Sequence, residues 1–248
     1  MRIKSVTKYY FSDLKKSILV FYLILIAITI VMGSMLAVVI SSSDNASVNI
    51  SGGETATMFF LFIVGLNSFK QSFLFLSANG ITRKTQFLGF LAAAFTACII
   101  MAFVDTAYSN ILPEFFTYRS AFRELYEAWA DNASSPALIL TNFLWIITLY
   151  LFSIIFGYLV TSLYYRMNKA TKIAVSVGVP VLFTTVFPII DSMLTNGAIF
   201  RWLGNMFSLL MGFGNGANPL IAAASFVGFA IIMGGVSYML GRRAIVKT

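Results

Sequence analysis

Few residues of this chain have side chains suited to chemistry on a substrate. Histidine is absent, and the one cysteine, Cys98, lies inside an apolar segment. Histidine is the commonest general base and metal ligand, and a lone cysteine forms neither an intramolecular disulfide nor a thiolate zinc cluster. No G-x-x-x-x-G-K-[ST] loop occurs either, so the chain cannot hold ATP phosphates in the P-loop manner. We therefore predict no catalytic residue, no metal site and no enzyme activity in this chain.

Two charged residues lie inside apolar segments and are candidates for a translocation path. Lys70 would cost about 2.5–3.5 kcal/mol at the centre of a membrane helix. Its flexible stem favours snorkelling to the nearby interface, and the functional alternative places it at the inner mouth of a path. Asp105 lies toward the other end of its segment, where it reaches outer water or lines a cavity.

A short basic turn, residues 77–86, joins two long apolar segments and contains Arg83 and Lys84. Basic residues near span ends are retained on the cytoplasmic side, so the turn is predicted to lie inside the cell. It is either an ordinary basic loop or a docking element for a cytosolic partner. In the second case the contacting residues are those of the sequence Asn79, Gly80, Ile81, Thr82, Arg83 and Lys84.

The composition is that of a membrane protein. Of 248 residues, 59% are hydrophobic and only 10% are charged, against roughly a quarter charged in soluble domains. The net charge of +8 comes from basic residues in short gaps between apolar runs, which indicates membrane topology and not nucleic-acid binding. Apolar runs long enough to span a bilayer lie at about 17–40, 57–78, 87–112, 137–164, 173–190 and 219–240.

These runs predict one all-α transmembrane domain, residues 1–248, with six membrane-spanning helices in the cell membrane. Lysine and arginine concentrate before the first span, in the turns at 83–84 and 166–172, and at the C-terminus. Nearly all acidic residues lie on the other side. By the positive-inside rule, both termini are predicted to be cytoplasmic.

Three further segments are predicted outside the spans. In residues 1–16 apolar and lysine side chains fall on opposite arcs of a helix, which is typical of an interfacial helix along the inner leaflet. Residues 113–136 place aromatic side chains at helical spacing, so this outer amphipathic segment is expected to be a helix on the outer surface. Residues 195–216 have an apolar core too short to span and predict a re-entrant element.

The order of basic N-terminal helix, two spans, the turn Ala78-Asn-Gly-Ile-Thr-Arg-Lys84 and four more spans resembles the ABC-2 (type V) family of ABC-transporter permeases. In particular, it resembles the small permeases of Gram-positive efflux systems, such as exporters of phenol-soluble modulins and antimicrobial peptides. The resemblance covers the chain in topology, and the turn is its local motif. The sizeable segment 113–136 departs from the pattern.

The resemblance implies an N-terminal elbow helix, a coupling helix at about 77–86 and re-entrant elements around 195–216. It also implies a cytosolic ABC ATPase on a separate chain, which carries the ATP and Mg, and a second permease copy beside this one in the membrane lipid. The implied cargo is an amphipathic peptide, a lipid or a drug. The alternative is a stand-alone membrane immunity or sensor protein that binds a peptide at 113–136 without an ATPase. A weaker alternative is an ion-coupled carrier.

Overall fold

The computed structural model describes residues 2–42, 50–114, 118–214 and 217–244, and nearly all of them are helical. In chain order the elements are α1 (Arg2–Ser42), β1 (Ile50–Ser51), α2 (Gly53–Asn67), α3 (Lys70–Ala78), α4 (Arg83–Ile111), β2 (Tyr118–Arg119), α5 (Ala121–Leu125), α6 (Glu127–Asn132), α7 (Ser135–Arg166), α8 (Lys169–Val181), α9 (Phe187–Leu194), α10 (Ala198–Leu210) and α11 (Pro219–Arg242). A 3-10 turn follows α4 and a π-helical turn joins α8 to α9.

Six helical segments among the described residues are long and apolar enough to cross a membrane: Ile3–Met35, Gly53–Ala78, Arg83–Ile111, Ser135–Arg166, Lys169–Leu194 and Pro219–Arg242. This confirms the predicted class, an all-α protein with six candidate membrane spans. It indicates a multi-pass membrane protein.

The core is a bundle of α1, α2, α4, α7 and α11. Helices α2 and α7 cross closely because glycine lies on both sides of the contact. A Cβ added to Gly65 of α2 would lie 2.2 Å from the carbonyl oxygen of Ile154 in α7. A Cβ added to Gly157 of α7 would likewise lie 2.2 Å from the carbonyl oxygen of Phe62 in α2. Helix α4 lines the centre with small side chains that are fully buried, namely Ala93, Ala94, Ala97 and Cys98. Small residues permit the close backbone approach that membrane helices use in place of a hydrophobic driving force.

The bundle has two chemically different ends. We call the end with the α3–α4 turn the basic end. At this end the Tyr9 ring stacks on the Phe75 ring with 5.1 Å between their centroids, and the ring centroids of Phe87 and Tyr238 are 5.4 Å apart. The start of α1 and the end of α11 therefore lie at the same end as the turn. We call the opposite end, which includes Glu54, the acidic end. The cytoplasmic location of the basic end stays a prediction.

The second span is two helices, where the sequence predicted one over 57–78. Helix α2 ends at Asn67 and α3 begins at Lys70. The Ser68 hydroxyl donates to the Val64 carbonyl at 2.6 Å, and the Ser68 amide is shared between the carbonyls of Val64 and Gly65. Serine side chains compete in this way with the helical ladder and commonly bend it.

Residues of the predicted interfacial helix 1–16 form the first part of one continuous helix, α1. Val6, Tyr10 and Leu14 of the apolar arc are buried, but against protein, whereas Ile3 is exposed. Val6 contacts the backbone at Gly89, and the Tyr10 ring packs edge-on against the Phe90 ring, with 5.8 Å between the ring centroids. The lysines point outward as expected. Met1 lies outside the described residues, and the placement of this segment at a membrane surface stays a prediction.

The predicted outer amphipathic segment, 113–136, is not one helix. It consists of strand β2 and two short helices, α5 and α6, which are separated by a bend at Tyr126. Strand β2 pairs in parallel with β1, placing Tyr118 opposite Ile50. The aromatic residues Phe122 and Tyr126 are fully buried against the bundle. Residues 115–117 of this prediction lie outside the described part of the chain.

Residues 169–210, which we call the arm, comprise α8, α9 and α10. Every residue of the arm is described, and Asp191 is the one that is buried. The π-helical turn over residues 182–186 follows Pro180, which supplies no amide donor. Helix α10 has 13 residues, about 20 Å, which is too short to span a bilayer. Its predicted re-entrant placement is untested, and residues 215–216 lie outside the described residues.

Candidate functional sites at the two ends of the bundle

The basic turn is built from two helix caps. At the end of α3 the Ile81 amide donates to the Leu76 carbonyl at 3.0 Å and the Gly80 amide to the Ser77 carbonyl at 3.1 Å. This is a Schellman motif, and Gly80 takes the left-handed conformation that the motif requires, with φ of 68°. Thr82 then caps α4. Its hydroxyl accepts from the Thr85 amide at 3.4 Å.

The six predicted docking residues divide into two groups. Asn79, Gly80, Thr82 and Lys84 are exposed, whereas Ile81 and Arg83 turn inward. Ile81 packs against the core. The Arg83 guanidinium lies 4.0 Å above the Phe73 ring, and its Nη1 donates to Ser77 Oγ at 2.9 Å. Arg83 therefore stabilises the turn itself, and Lys84 is the basic group available to a partner.

A polar cavity of about 600 Å³ opens between α1 and the broken second span. Its lining comprises Ser5, Lys8, Tyr9, Ser12, Asp13, Lys16, Asn67, Gln71 and Ser72. Asn67 and Gln71 flank the break between α2 and α3, so the break provides the polar wall of the cavity. This volume lies in the range of ligand pockets, about 300–1,000 Å³.

Lys70 is exposed at the first position of α3 and lines a separate cavity of about 290 Å³ with Lys172, Leu74, Thr161, Tyr164 and Tyr165. Lys172 belongs to the start of α8 at the basic end. The Lys70 ammonium therefore has a route toward the basic surface, in agreement with the snorkelling explanation. Its role in translocation stays a hypothesis.

At the acidic end, Asp105 lies inside the protein. Its side chain is 2% exposed. The Tyr22 hydroxyl of α1 donates to one carboxylate oxygen at 3.0 Å, and the Tyr150 hydroxyl of α7 donates to the other. Nearby, the hydroxyls of Thr29 and Tyr108 also bond α1 to α4. Asp105 therefore ties α1, α4 and α7 together, and its role in a translocation path stays a prediction.

Glu54, in the first turn of α2, is the second buried acid at this end. It is 1% exposed, and its Oε2 accepts from the Tyr118 hydroxyl and from the Ala121 amide, each at 3.2 Å. Burial and the neighbouring Glu54 carboxylate raise the pKa of Tyr118 above its usual value, so this phenol remains a donor. Glu54 thus fastens the segment after β2 onto the bundle.

We call Asp105, Glu54 and their tyrosine partners Tyr22, Tyr118 and Tyr150 the acid–tyrosine cluster. Among the described residues, no lysine or arginine forms an ion pair with either carboxylate. Buried carboxylates without a cation depend on neutral hydrogen-bond donors, which the phenols supply. Asp105 was a candidate from its place in an apolar segment, whereas Glu54 and the tyrosines were not predictable, because the elements that carry them are distant in sequence.

No group of three or more His, Cys, Asp and Glu side chains within the described ranges has the arrangement of a metal site. Comparisons with known protein families, with curated proteins and with solved structures gave no match.

Proposed function

We propose that this chain is the membrane-spanning permease subunit of an ATP-driven ABC exporter. A separate cytosolic ABC ATPase would dock on the basic turn, and a second permease copy would complete the transporter. The cargo class is an amphipathic peptide, a lipid or a drug-like molecule. ATP and Mg would be bound by the ATPase and not by this chain.

The observation that carries the proposal is the polar cavity that α3 connects to the basic turn. The cavity has its wall at the break in the second span, and α3 connects this break directly to the turn. A partner that binds the turn is therefore one short helix away from the cavity.

The packing around the turn supports a mechanical link. Tyr9 of α1 stacks on Phe75 of α3, and Val6 of α1 touches Gly89 of α4. Displacement of the turn by closure of the ATPase pair would move α3, α4 and the start of α1 as one unit. Since α1 forms the other wall, the cavity would change shape with each ATP cycle.

Lys84→Glu tests the docking surface. Lys84 is exposed and makes no ion pair among the described residues, so the variant is expected to fold. Lys169→Glu is the matched control, since Lys169 is an exposed lysine in the other basic turn. Arg83 is a poorer choice because its substitution would also disturb the turn.

The tagged permease is purified in mild detergent after co-expression with the ABC ATPase encoded beside it. We expect the ATPase to co-elute with the unmodified chain and with Lys169→Glu, and to be lost with Lys84→Glu. Full retention by Lys84→Glu would contradict docking at the turn. A folded chain that captures no ATPase favours the stand-alone immunity or sensor protein.

A further inference from the structure

A second cavity, of about 250 Å³, lies at the acidic end between the last residues of α4 and the first turns of α7. Helix α4 has 29 residues, about 43 Å, which exceeds a hydrocarbon core of about 30 Å and matches a bilayer with its headgroups. Ile111 and Leu140, which directly follow the lining residues Asn110 and Ile139 in sequence, expose more than half of their surface. The cavity therefore lies at headgroup depth, beside the lipid-facing surface.

The lining of this cavity presents charges of both signs. Arg119 and Glu127 pair with each other at 3.3 Å. Arg123 and Asp131 also line it, and neither forms an ion pair with any described residue. The cavity therefore has one unpaired cation, Arg123, and one unpaired anion, Asp131, among its described lining residues. These two charges are complementary to a ligand that carries both a negative and a positive charge.

A buried hydrogen-bond acceptor without a donor indicates which kind of cationic group the ligand carries. Asn142 of α7 lines the same cavity and is 6% exposed, yet its Oδ1 accepts no hydrogen bond from the described residues. A buried acceptor without a donor is unfavourable, and a bound N–H group would satisfy it. A primary ammonium has such N–H groups, whereas a trimethylammonium has none.

We propose that this cavity binds the headgroup of a membrane phospholipid that carries a phosphate and a primary ammonium. Arg123 contacts the phosphate, and Asp131 and Asn142 Oδ1 accept from the ammonium. The acyl chains lie along the exposed apolar side chains of α4 and α7. This site is independent of the proposed ATPase docking, because it lies at the other end of the bundle and needs no ATP.

The purified full chain is titrated with phosphatidylethanolamine, phosphatidylcholine and phosphatidylglycerol of identical acyl chains, and bound lipid is counted by native mass spectrometry. We expect phosphatidylethanolamine to bind about tenfold tighter than the other two, because only it supplies both charges and the N–H donors. Equal affinity for the three lipids, or tighter binding of phosphatidylglycerol, would overturn the proposal.

The double variant Arg123→Gln/Asp131→Asn should reduce the preference to less than about twofold, since both charged contacts are removed. Both side chains are exposed, so the variant is expected to fold. Glu124→Gln is the control, because Glu124 lies next to Arg123 in α5 and does not line the cavity. A preference that survives in the double variant rejects the site.

The variant Asn142→Leu tests whether Asn142 contributes to lipid binding and not to the stability of the protein. Because the Asn142 acceptor is unused, its replacement should leave thermal unfolding in lipid-free detergent unchanged or raised, yet weaken phosphatidylethanolamine binding. Unchanged lipid selectivity would refute the role of Asn142.

Soluble phosphoethanolamine is the last ligand to be tested. If it binds as tightly as the lipid and displaces it, the ligand is a free amino-phosphate and the lipid assignment is wrong.

Discussion

The bundle and the arm have similar apolar compositions but differ in where their contacts are made. Bundle helices meet through close glycine crossings and through hydrogen bonds that connect distant parts of the chain. The arm buries a single side chain, Asp191, whose carboxylate accepts from the amides of Ile199 and Phe200 at 3.0 and 3.1 Å. The bundle is therefore stabilised by contacts within this chain, whereas the apolar side chains of the arm are left largely uncovered by it.

Gly157→Ala is expected to have the largest effect on the bundle. The added Cβ would meet the Phe62 backbone, which cannot move aside without separating α2 from α7. Overpacking of this kind costs about 1–3 kcal/mol. Thermal unfolding in detergent measures it. Gly228→Ala is the control, because a Cβ at Gly228 meets nothing within 4 Å. Equal stability of the two variants would mean that the crossing is not tight.

Asp105→Ala and Asp191→Ala compare two buried aspartates in the two regions. Asp105→Ala removes the carboxylate that accepts from the hydroxyls of Tyr22 and Tyr150 and leaves them only the backbone carbonyls of Met101 and Glu54, at 3.1 and 3.5 Å. We therefore expect the free energy of global unfolding to fall by about 1–3 kcal/mol. Asp191→Ala should leave global unfolding nearly unchanged and raise amide hydrogen exchange at Ile199 and Phe200. A global loss from Asp191→Ala comparable to that from Asp105→Ala would contradict the separation.

Loss of a helix cap is expected to have the smallest effect on stability, and the bundle and the arm each have a cap that can be removed. Thr82 caps α4 in the bundle, and Asn168 caps α8 in the arm by accepting from the Thr171 amide at 2.8 Å. Loss of a cap costs about 1 kcal/mol of helix stability. We expect Thr82→Ala to lower the unfolding temperature slightly, and Asn168→Ala to change only hydrogen exchange at the start of α8. The reverse order would show that the arm unfolds with the bundle.

Much of the fold was predictable from local sequence. The apolar runs predicted six candidate spans, and six helical segments among the described residues are long and apolar enough to cross a membrane. The turn at 79–82 was also recognisable, since Asn-Gly ending one helix and Thr starting the next are local capping signals. The same caps explain why those residue types occur there, so the motif alone is limited support for a partner ATPase, which stays a proposal together with its cargo.

The break at Ser68 was missed because a serine inside an apolar run leaves the hydropathy pattern intact. Residues 113–136 were expected to form one helix since their aromatic residues have helical spacing. In the structure Glu54, more than sixty positions earlier, accepts from the Ala121 amide, and β1 pairs with β2. Tertiary contacts therefore replaced the continuous helix with short pieces.

The sequence by itself determined which segments are apolar enough to cross a bilayer and where basic residues concentrate, because hydropathy and charge are properties of contiguous residues. Only the tertiary structure decided that Asp105 and Glu54 accept from tyrosines of three other elements, α1, β2 and α7, that Arg83 folds back on Phe73, and that Asn142 lines one cavity with Arg123 and Asp131. Those relations depend on which helix faces meet. No spacing along the chain encodes that choice, since side chains far apart in sequence become neighbours only when the bundle packs.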